Sequence, residues 1–213
     1  MRLALSLMRW NMGARCAVHA AVCAIILKLS FSGACMAQTF KALLTKLDAR
    51  LEPIPLAEIE AELGDTDVVD GDFRRAVAFG DKTYRRNLLH EGPTYHALVL
   101  CWRAGQRSPI HDHSGSSCAV RVLQGIATET AVAMTAQGLV YATASRDCAA
   151  GSVLGSFDGD AHQISNLQAA GQDLVTLHIY SPPLLKMNRF SLTDPQVESF
   201  IDPVEFFVEG AGI

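Results

Sequence analysis

The sequence lacks any cluster of lysine and arginine, and its 22 acidic residues outnumber its 18 basic ones. Nucleic acids and anionic membrane surfaces attract concentrated positive charge, so this absence argues against both as the main partner. A small neutral or anionic ligand fits the charge balance better. The sequence also shows no tandem repeat and no low-complexity tract. Because 49% of its 213 residues are hydrophobic and 19% are charged, disorder is excluded and one domain with appendages is expected.

Cysteine is scarce in the body of the chain, where Cys101, Cys118 and Cys148 are the cysteines that follow residue 35. An odd number at irregular spacing is not a disulfide framework, and no CxxC pair indicates structural zinc. The cysteine pattern therefore favours a reducing compartment. Cys101 lies in an apolar run and is expected in the core, whereas Cys148 lies in a polar stretch and has no expected role.

Residues 1–35 are expected to lie outside the fold. They contain four basic residues and no acid, with an apolar run over 17–29 and a small-residue stretch over 32–35. This order is typical of a secretory signal peptide, which would make the protein periplasmic or secreted. Alternatively, the start is mis-assigned, Met36 opens the protein, and the protein is cytoplasmic. Lys28 inside the apolar run argues against a transmembrane segment.

The rest of the chain divides into three stretches. Residues 36–80 are expected to form helices that pack on the main body, because apolar residues recur at helical spacing from Phe40 to Leu51. Residues 81–190 contain short β-rich runs separated by turn residues, which predicts an all-β sandwich or barrel. Residues 191–213 are expected to be a tail that wraps the barrel. The expected strands are 84–89, 95–102, 118–123, 127–135, 139–145, 162–166 and 174–180.

Three histidines are candidate metal ligands. His111 and His113 are two residues apart, so in an extended backbone their imidazoles point to the same face. His162 lies on a later strand that can pair across the barrel. Neutral imidazole suits iron, zinc, copper and nickel, and three such ligands leave coordination positions open for a substrate.

Two sequence motifs surround these histidines. The stretch over 105–125 resembles the first motif of the cupin superfamily, with Cys118 in place of the usual metal-binding glutamate. The stretch over 151–166 resembles the second motif, with Phe157 where proline is usual. The resemblance implies an all-β core, a jelly-roll barrel over 81–190 with a short N-terminal helical cap, and a metal held inside it by the three histidines.

Three stretches of the sequence point to one family within this superfamily: SPIHDHSGSSCAVRVLQG, TLHIYSPP and YRRNL. Together they resemble cysteine dioxygenase, of the thiol dioxygenase group, over about residues 40–190. The resemblance implies a non-haem enzyme in which Fe(II) binds the thiolate and amine of L-cysteine, and O2 oxidises the sulfur to cysteine sulfinic acid. Three neutral ligands leave the metal its full charge, which favours a deprotonated thiol.

Residues of the first expected strand, 84–89, match substrate-binding positions of the family. Arg86 matches the position whose guanidinium binds the substrate carboxylate, and its planar fork of donors suits that group. Strand alternation places Tyr84 on the same face, where it would line the pocket. Arg85, on the other face, is expected to be a surface residue.

Residues of two later expected strands match other positions of the family's active site. Cys118 and Tyr180 match a pair that forms a thioether crosslink in some family members. His178 matches a histidine that hydrogen-bonds this tyrosine, and Thr176, where the family often has serine, shares its strand face. The remaining histidines are expected to be structural or surface residues: His19, His90 and His96.

Three other functions remain as alternatives. A dioxygenase of another small thiol acid, such as 3-mercaptopropionate, is usually expected to have Gln at the Arg86 position and often Gly at Cys118. A non-catalytic cupin that binds a small ligand would not need this full set of side chains. A cupin isomerase using zinc or manganese normally keeps the absent glutamate. We therefore expect a monomeric enzyme with Fe(II) as cofactor, L-cysteine and O2 as partners, and no nucleic acid or membrane partner.

Overall fold

The computed structural model describes residues 37–205. The expectations for residues 1–35 therefore fall outside the described residues, as does the end of the expected tail. Among the described residues, three α-helices precede the main strands: α1 (Phe40–Asp48), α2 (Leu56–Gly64) and α3 (Asp70–Phe73), the last followed by a 3-10 turn at Arg74–Ala76. Within the described range, no helix is long and apolar enough to span a membrane.

Helix α1 begins where its sequence pattern predicts and ends earlier. The Thr39 hydroxyl oxygen caps its first turn by accepting a hydrogen bond from the backbone N–H of Ala42 at 3.2 Å. At the other end, the N–H of Arg50 donates to the carbonyl of Leu47 at 3.0 Å and closes the last turn. Leu51, expected on the buried face, therefore lies beyond the helix and is 83% exposed, so that part of the prediction is wrong.

The strands form two six-stranded sheets and one small parallel pair of β1 (Gln38–Thr39) and β2 (Thr66–Asp67). The first sheet consists, in spatial order, of β13 (Glu198–Phe200), β12 (Met187–Phe190), β5 (Ile110–His111), β10 (His162–Ser165), β7 (Ile126–Met134) and β8 (Val140–Ala149). The second sheet consists of β14 (Val204–Glu205), β3 (Arg85–Glu91), β4 (His96–Trp102), β11 (Leu174–Ser181), β6 (Ser117–Gln124) and β9 (Val153–Phe157).

The second sheet is covered on both faces. Every residue of β4 is buried, because alternate side chains enter two different hydrophobic clusters. Leu98 and Leu100 pack in the barrel interior with Ile164 of the first sheet. Val99 packs on the outside against the helical cap, in one cluster with Leu43 of α1. This arrangement confirms the prediction of an all-β core with a short N-terminal helical cap.

Glycine fixes the turn between β6 and β7. Gly125 has a φ of 82°, a left-handed conformation that side chains rarely adopt. A Cβ atom at this position would also lie 2.7 Å from the carbonyl oxygen of Asp173. The motif glycine therefore has a steric reason, at the turn where the chain passes from the second sheet to the first.

The tail expected after residue 190 contributes strands to both sheets. Strand β13 extends the first sheet at its edge by pairing with β12. Strand β14 joins the second sheet by pairing in parallel with β3, with Val204 opposite Arg86. The chain between these two strands, which contains Asp202, therefore crosses from one sheet to the other beside the start of β3.

Candidate metal centre and active site

The three predicted ligands come together inside the barrel. His111 ends β5 and lies opposite His162, the first residue of β10, in an antiparallel pair. His113 follows two residues after His111, and its ring lies 5.3 and 5.0 Å from the other two ring centres. One ring nitrogen from each histidine lies within 4.8 Å of the others. All three side chains are buried.

Two of these histidines, His111 and His113, have the chemical state that a metal needs. Burial, followed by the nearby His162, lowers the pKa of His111 to about 3, and the same causes hold the pKa of His113 well below its usual value. Both imidazoles are therefore neutral at physiological pH, which is the form that binds metal. Neither ring nitrogen of His113, fully buried, has a hydrogen-bond partner among residues 37–205. A divalent metal among the three rings would satisfy one of these nitrogens, so the donor set fits such an ion.

Hydrogen bonds fix the orientation of two of the imidazole rings, those of His111 and His162. The Nδ1 atom of His111 lies 3.0 Å from the carbonyl oxygen of Pro109. Because a carbonyl oxygen only accepts, Nδ1 carries the proton and Nε2 keeps its lone pair. The Nδ1 atom of His162 lies 3.0 Å from Oε1 of Glu129, a carboxylate oxygen, and the same reasoning applies. Both histidines therefore offer Nε2 as the metal-binding atom.

Glu129 was not predicted from the sequence. It lies on β7, opposite Ile164, and its second carboxylate oxygen accepts a hydrogen bond from Nε of Arg146 at 2.7 Å. Burial raises the pKa of Glu129, but the hydrogen bonds from His162 and Arg146 outweigh it and leave the pKa below its usual value. The sequence signal is an acid on the face of β7 that also carries the buried Ala127.

We expect Glu129→Gln to weaken metal binding roughly 10- to 100-fold, because the amide removes the negative charge that holds the Nδ1 proton of His162 in place. Titration of the metal-free protein with Fe(II) under anaerobic conditions measures the dissociation constant. Glu198→Gln is the matched control, since Glu198 is an exposed acid paired with Arg189 in the same sheet. Equal metal affinity in the parent and Glu129→Gln would show that Glu129 plays no part in orienting the ligand.

A cavity adjoins the three histidines and contains the other predicted site residues. It is lined by Tyr84, Arg86, Cys118, His178 and Tyr180. Arg86 is 2% exposed, and its guanidinium carbon lies 5.5 Å from the centre of the Tyr180 ring. The Tyr84 ring stacks on Trp102 with centroids 4.2 Å apart. Arg85, expected on the surface, pairs instead with Glu205 at 3.1 Å while remaining partly exposed.

A chain of hydrogen bonds leads to the Tyr180 hydroxyl. Trp102 Nε1 donates to Thr176 Oγ1 at 3.0 Å, and this oxygen lies 2.9 Å from Nε2 of His178. Among residues 37–205 the Thr176 hydroxyl has these two partners, so its proton is donated to His178 Nε2. The proton of His178 therefore resides on Nδ1, which donates to the Tyr180 oxygen at 2.9 Å. The phenolic proton of Tyr180 is not used in this chain, and the thiol of Cys118 is a further hydrogen-bond partner of the phenol.

Cys118 lies beside this tyrosine. Cys118 of β6 is directly opposite Tyr180 of β11 in the antiparallel pair, so the two side chains leave the same face of the sheet next to each other. Burial raises the pKa of the Cys118 thiol to about 12, and burial also raises the pKa of Tyr180 well above its usual value. Both groups therefore carry their protons at neutral pH.

The other histidines and cysteines of residues 37–205 do not line the cavity. His90 hydrogen-bonds Asp48 at 2.9 Å, and His96 lies 3.7 Å from Glu91, as expected of structural or surface residues. His19 falls outside the described residues. Cys101 is fully buried, as predicted, and Cys148 is buried as well, although its polar surroundings in sequence gave no sign of this.

The fold and the site together define a cupin-type barrel with a three-histidine candidate metal site. A family model for cysteine dioxygenase type I matches residues 30–193, well over half of the chain. The chain therefore belongs to the cysteine dioxygenase type I family.

Relatives of known identity match over part of their length. Cysteine dioxygenase type 1 of Danio rerio is 32% identical over 127 residues, covering 56% of this chain and 61% of that protein. The Bos taurus protein of the same name is 27% identical over 136 residues, covering 62% and 68%. Among solved structures, TT1209 from Thermus thermophilus aligns with a TM-score of 0.42 and 18% identity, over 53% of this chain and 95% of that one. The family assignment does not rest on this last likeness.

Proposed function

We propose that this protein is a non-haem iron thiol dioxygenase that oxidises L-cysteine with O2 to cysteine sulfinic acid. The thiolate gains both atoms of one O2 molecule, so the reaction balances without another reductant. A reducing compartment such as the cytoplasm would keep this substrate as a thiol. The observation that carries the proposal is a buried guanidinium, that of Arg86, in the same cavity as the three clustered histidines.

The metal-binding residues in this proposal are His111, His113 and His162. Bound there, Fe(II) would supply binding of the thiolate and activation of O2. The usual glutamate position holds Cys118, and burial raises the pKa of its thiol to about 12 in the metal-free protein. The three imidazole ligands add no negative charge, and the glutamate that would add one is absent, so the centre keeps the positive charge that an anionic substrate needs.

Arg86 is the proposed carboxylate-binding residue. Its Nη1 donates to the main-chain oxygen of Asp202 at 2.7 Å, and its Nη2 donates to that of Leu184 at 3.4 Å. A guanidinium has five N–H donors, so these two contacts fix its plane and leave three for a ligand. A charged group held in this way inside a buried cavity suits the two oxygens of a carboxylate.

Tyr180 is the proposed hydrogen-bond donor toward the reacting atoms. Its oxygen accepts from His178, and its raised pKa keeps the phenol protonated. A donor with a fixed direction can stabilise negative charge that develops on oxygen during the reaction. Thr176 and Trp102 act through His178 and set which of its nitrogens carries the proton.

We expect Cys118 and Tyr180 to form a thioether crosslink during repeated turnover. The sulfur would bond to the ring carbon beside the phenolic oxygen, with loss of one hydrogen from each group, and O2 would be the oxidant. Intact-mass analysis of iron-loaded protein after turnover should show a species lighter by two hydrogens, absent from Cys118→Ala. If no such species accumulates after many turnovers, crosslinking is rejected while the dioxygenase proposal stands.

Oxygen uptake by iron-loaded protein tests the substrate assignment. The panel is L-cysteine, cysteamine, homocysteine and 3-mercaptopropionate, and we expect L-cysteine to be the best substrate. A preference for 3-mercaptopropionate would favour the related dioxygenase, which binds a thiol acid without an amine. Binding of a thiol without O2 consumption would instead favour a non-catalytic cupin.

A further inference from the structure

Asp202 is brought to the Arg86 side of the cavity by strand pairing at the end of the described chain. Strand β14 runs parallel to β3, with Val204 opposite Arg86. Asp202 precedes Val204 by two residues and Tyr84 precedes Arg86 by two, so the two side chains come together just before the paired strands begin. Asp202 lines the same cavity as the three histidines, and its side chain remains 20% exposed.

Asp202 contacts both proposed substrate-binding residues. Its main-chain oxygen accepts from Nη1 of Arg86 at 2.7 Å, and its carboxylate accepts a hydrogen bond from the Tyr84 hydroxyl. Its Oδ2 lies 4.0 Å from Nη1 of Arg86, longer than a hydrogen bond. The main chain of Asp202 thus holds the guanidinium in place, while its carboxylate adds a negative charge beside it.

We propose that Asp202 is a specificity-determining residue that weakens the binding of thiols bearing a carboxylate, relative to aminothiols without one. This inference rests on the proposed function, in which Arg86 binds the substrate carboxylate. A carboxylate on the same guanidinium would lie a few ångströms from that of Asp202. At such a distance like charges repel appreciably, because the cavity is largely shielded from water. Asp202 also neutralises part of the Arg86 charge that attracts the substrate.

Asp202→Asn separates the charge of this residue from its other contacts. The variant keeps the main-chain oxygen that binds Arg86, and its amide oxygen can still accept from Tyr84. Glu205→Gln is the matched control, because it removes one negative charge from the same segment at a residue that pairs with Arg85. Asp202→Ala tests whether the new amide itself binds substrate, since alanine removes the charge and adds no donor.

The experiment measures the binding of L-cysteine and of cysteamine to iron-loaded protein without O2, by calorimetric titration. In Asp202→Asn and Asp202→Ala, L-cysteine should bind roughly 5- to 50-fold more tightly, while cysteamine binds equally or more weakly. Glu205→Gln should bind both thiols as the parent does. In turnover, the KM for L-cysteine should fall with little change in kcat.

Two results would overturn the inference. L-cysteine binding that is unchanged or weaker in both Asp202 variants, with cysteamine binding intact, would mean that the carboxylate serves to hold Tyr84. An equal gain in affinity for L-cysteine and cysteamine would mean that the substitutions make the whole cavity more accessible, whatever the charge of the ligand. The proposed function fails separately, if the parent protein binds and oxidises neither thiol.

Discussion

Replacing His162 with alanine is expected to leave the purified protein with little iron, below about one tenth of an equivalent per chain, and without dioxygenase activity. The site has three imidazole ligands, one from each histidine. Among residues 37–205 these three histidines are the group that can hold a metal ion, so losing one imidazole leaves an incomplete site. Metal analysis after loading with Fe(II) and gel filtration measures the outcome, and the same loss is expected for His111→Ala and His113→Ala.

His178→Ala is the matched control for the ligand variants. His178 is equally buried in the same cavity, but both of its ring nitrogens are used by Thr176 and Tyr180. Its loss should lower turnover and leave the iron content near that of the parent. Stoichiometric iron in His162→Ala would contradict the ligand assignment.

Replacing Arg86 with alanine is expected to lower kcat/KM for L-cysteine by roughly one to three orders of magnitude. The loss follows from removing a charge-assisted, two-pronged contact in a buried cavity. Arg86→Lys keeps the charge but loses the planar fork, so it should also be poor. Cysteamine has no carboxylate, so it should be a weak substrate of the parent and should lose little in Arg86→Ala. Steady-state oxygen uptake on both thiols measures these effects.

Arg85→Ala is the matched control for Arg86, because the two arginines are neighbours on β3 with opposite orientations. Arg85 is partly exposed and pairs with Glu205, whereas Arg86 points into the cavity. Arg85→Ala should leave kcat/KM for L-cysteine within about twofold of the parent, as is usual for an exposed ion pair. Cysteine turnover that is equally unaffected by Arg86→Ala would remove the main support for the substrate assignment.

Local periodicity was sufficient to predict the central strands. Alternation and apolar runs marked 95–102 and 174–180, which the structure has as His96–Trp102 and Leu174–Ser181. Strand β8 runs to Ala149 rather than ending at 145, because it completes a hairpin with β7 at the sheet edge despite its polar, exposed residues. Strand pairing there decides the structure more than the composition of the strand does.

The sequence did not predict site residues whose position depends on pairing between strands that are far apart in the chain. Glu129 lies 33 positions before His162 and is recognisable only when β7 and β10 pair. Asp202 depends on β14, a two-residue strand whose position is set by pairing with β3 rather than by its own pattern. Strands β9, β12 and β13 were missed as well, since each is short and half exposed or interrupted by glycine. The two histidines at i and i+2 were predictable because their geometry is local.

The most direct test of the account is a single turnover experiment with ¹⁸O2. Iron-loaded protein with L-cysteine should consume one O2 per thiol, and mass spectrometry of the product should show cysteine sulfinic acid carrying both labelled oxygens. The metal-free protein should give none of this product. Oxidation of L-cysteine to cystine without labelled sulfinate, or no oxygen uptake at full iron content, would contradict the proposal that this chain is a cysteine-oxidising dioxygenase.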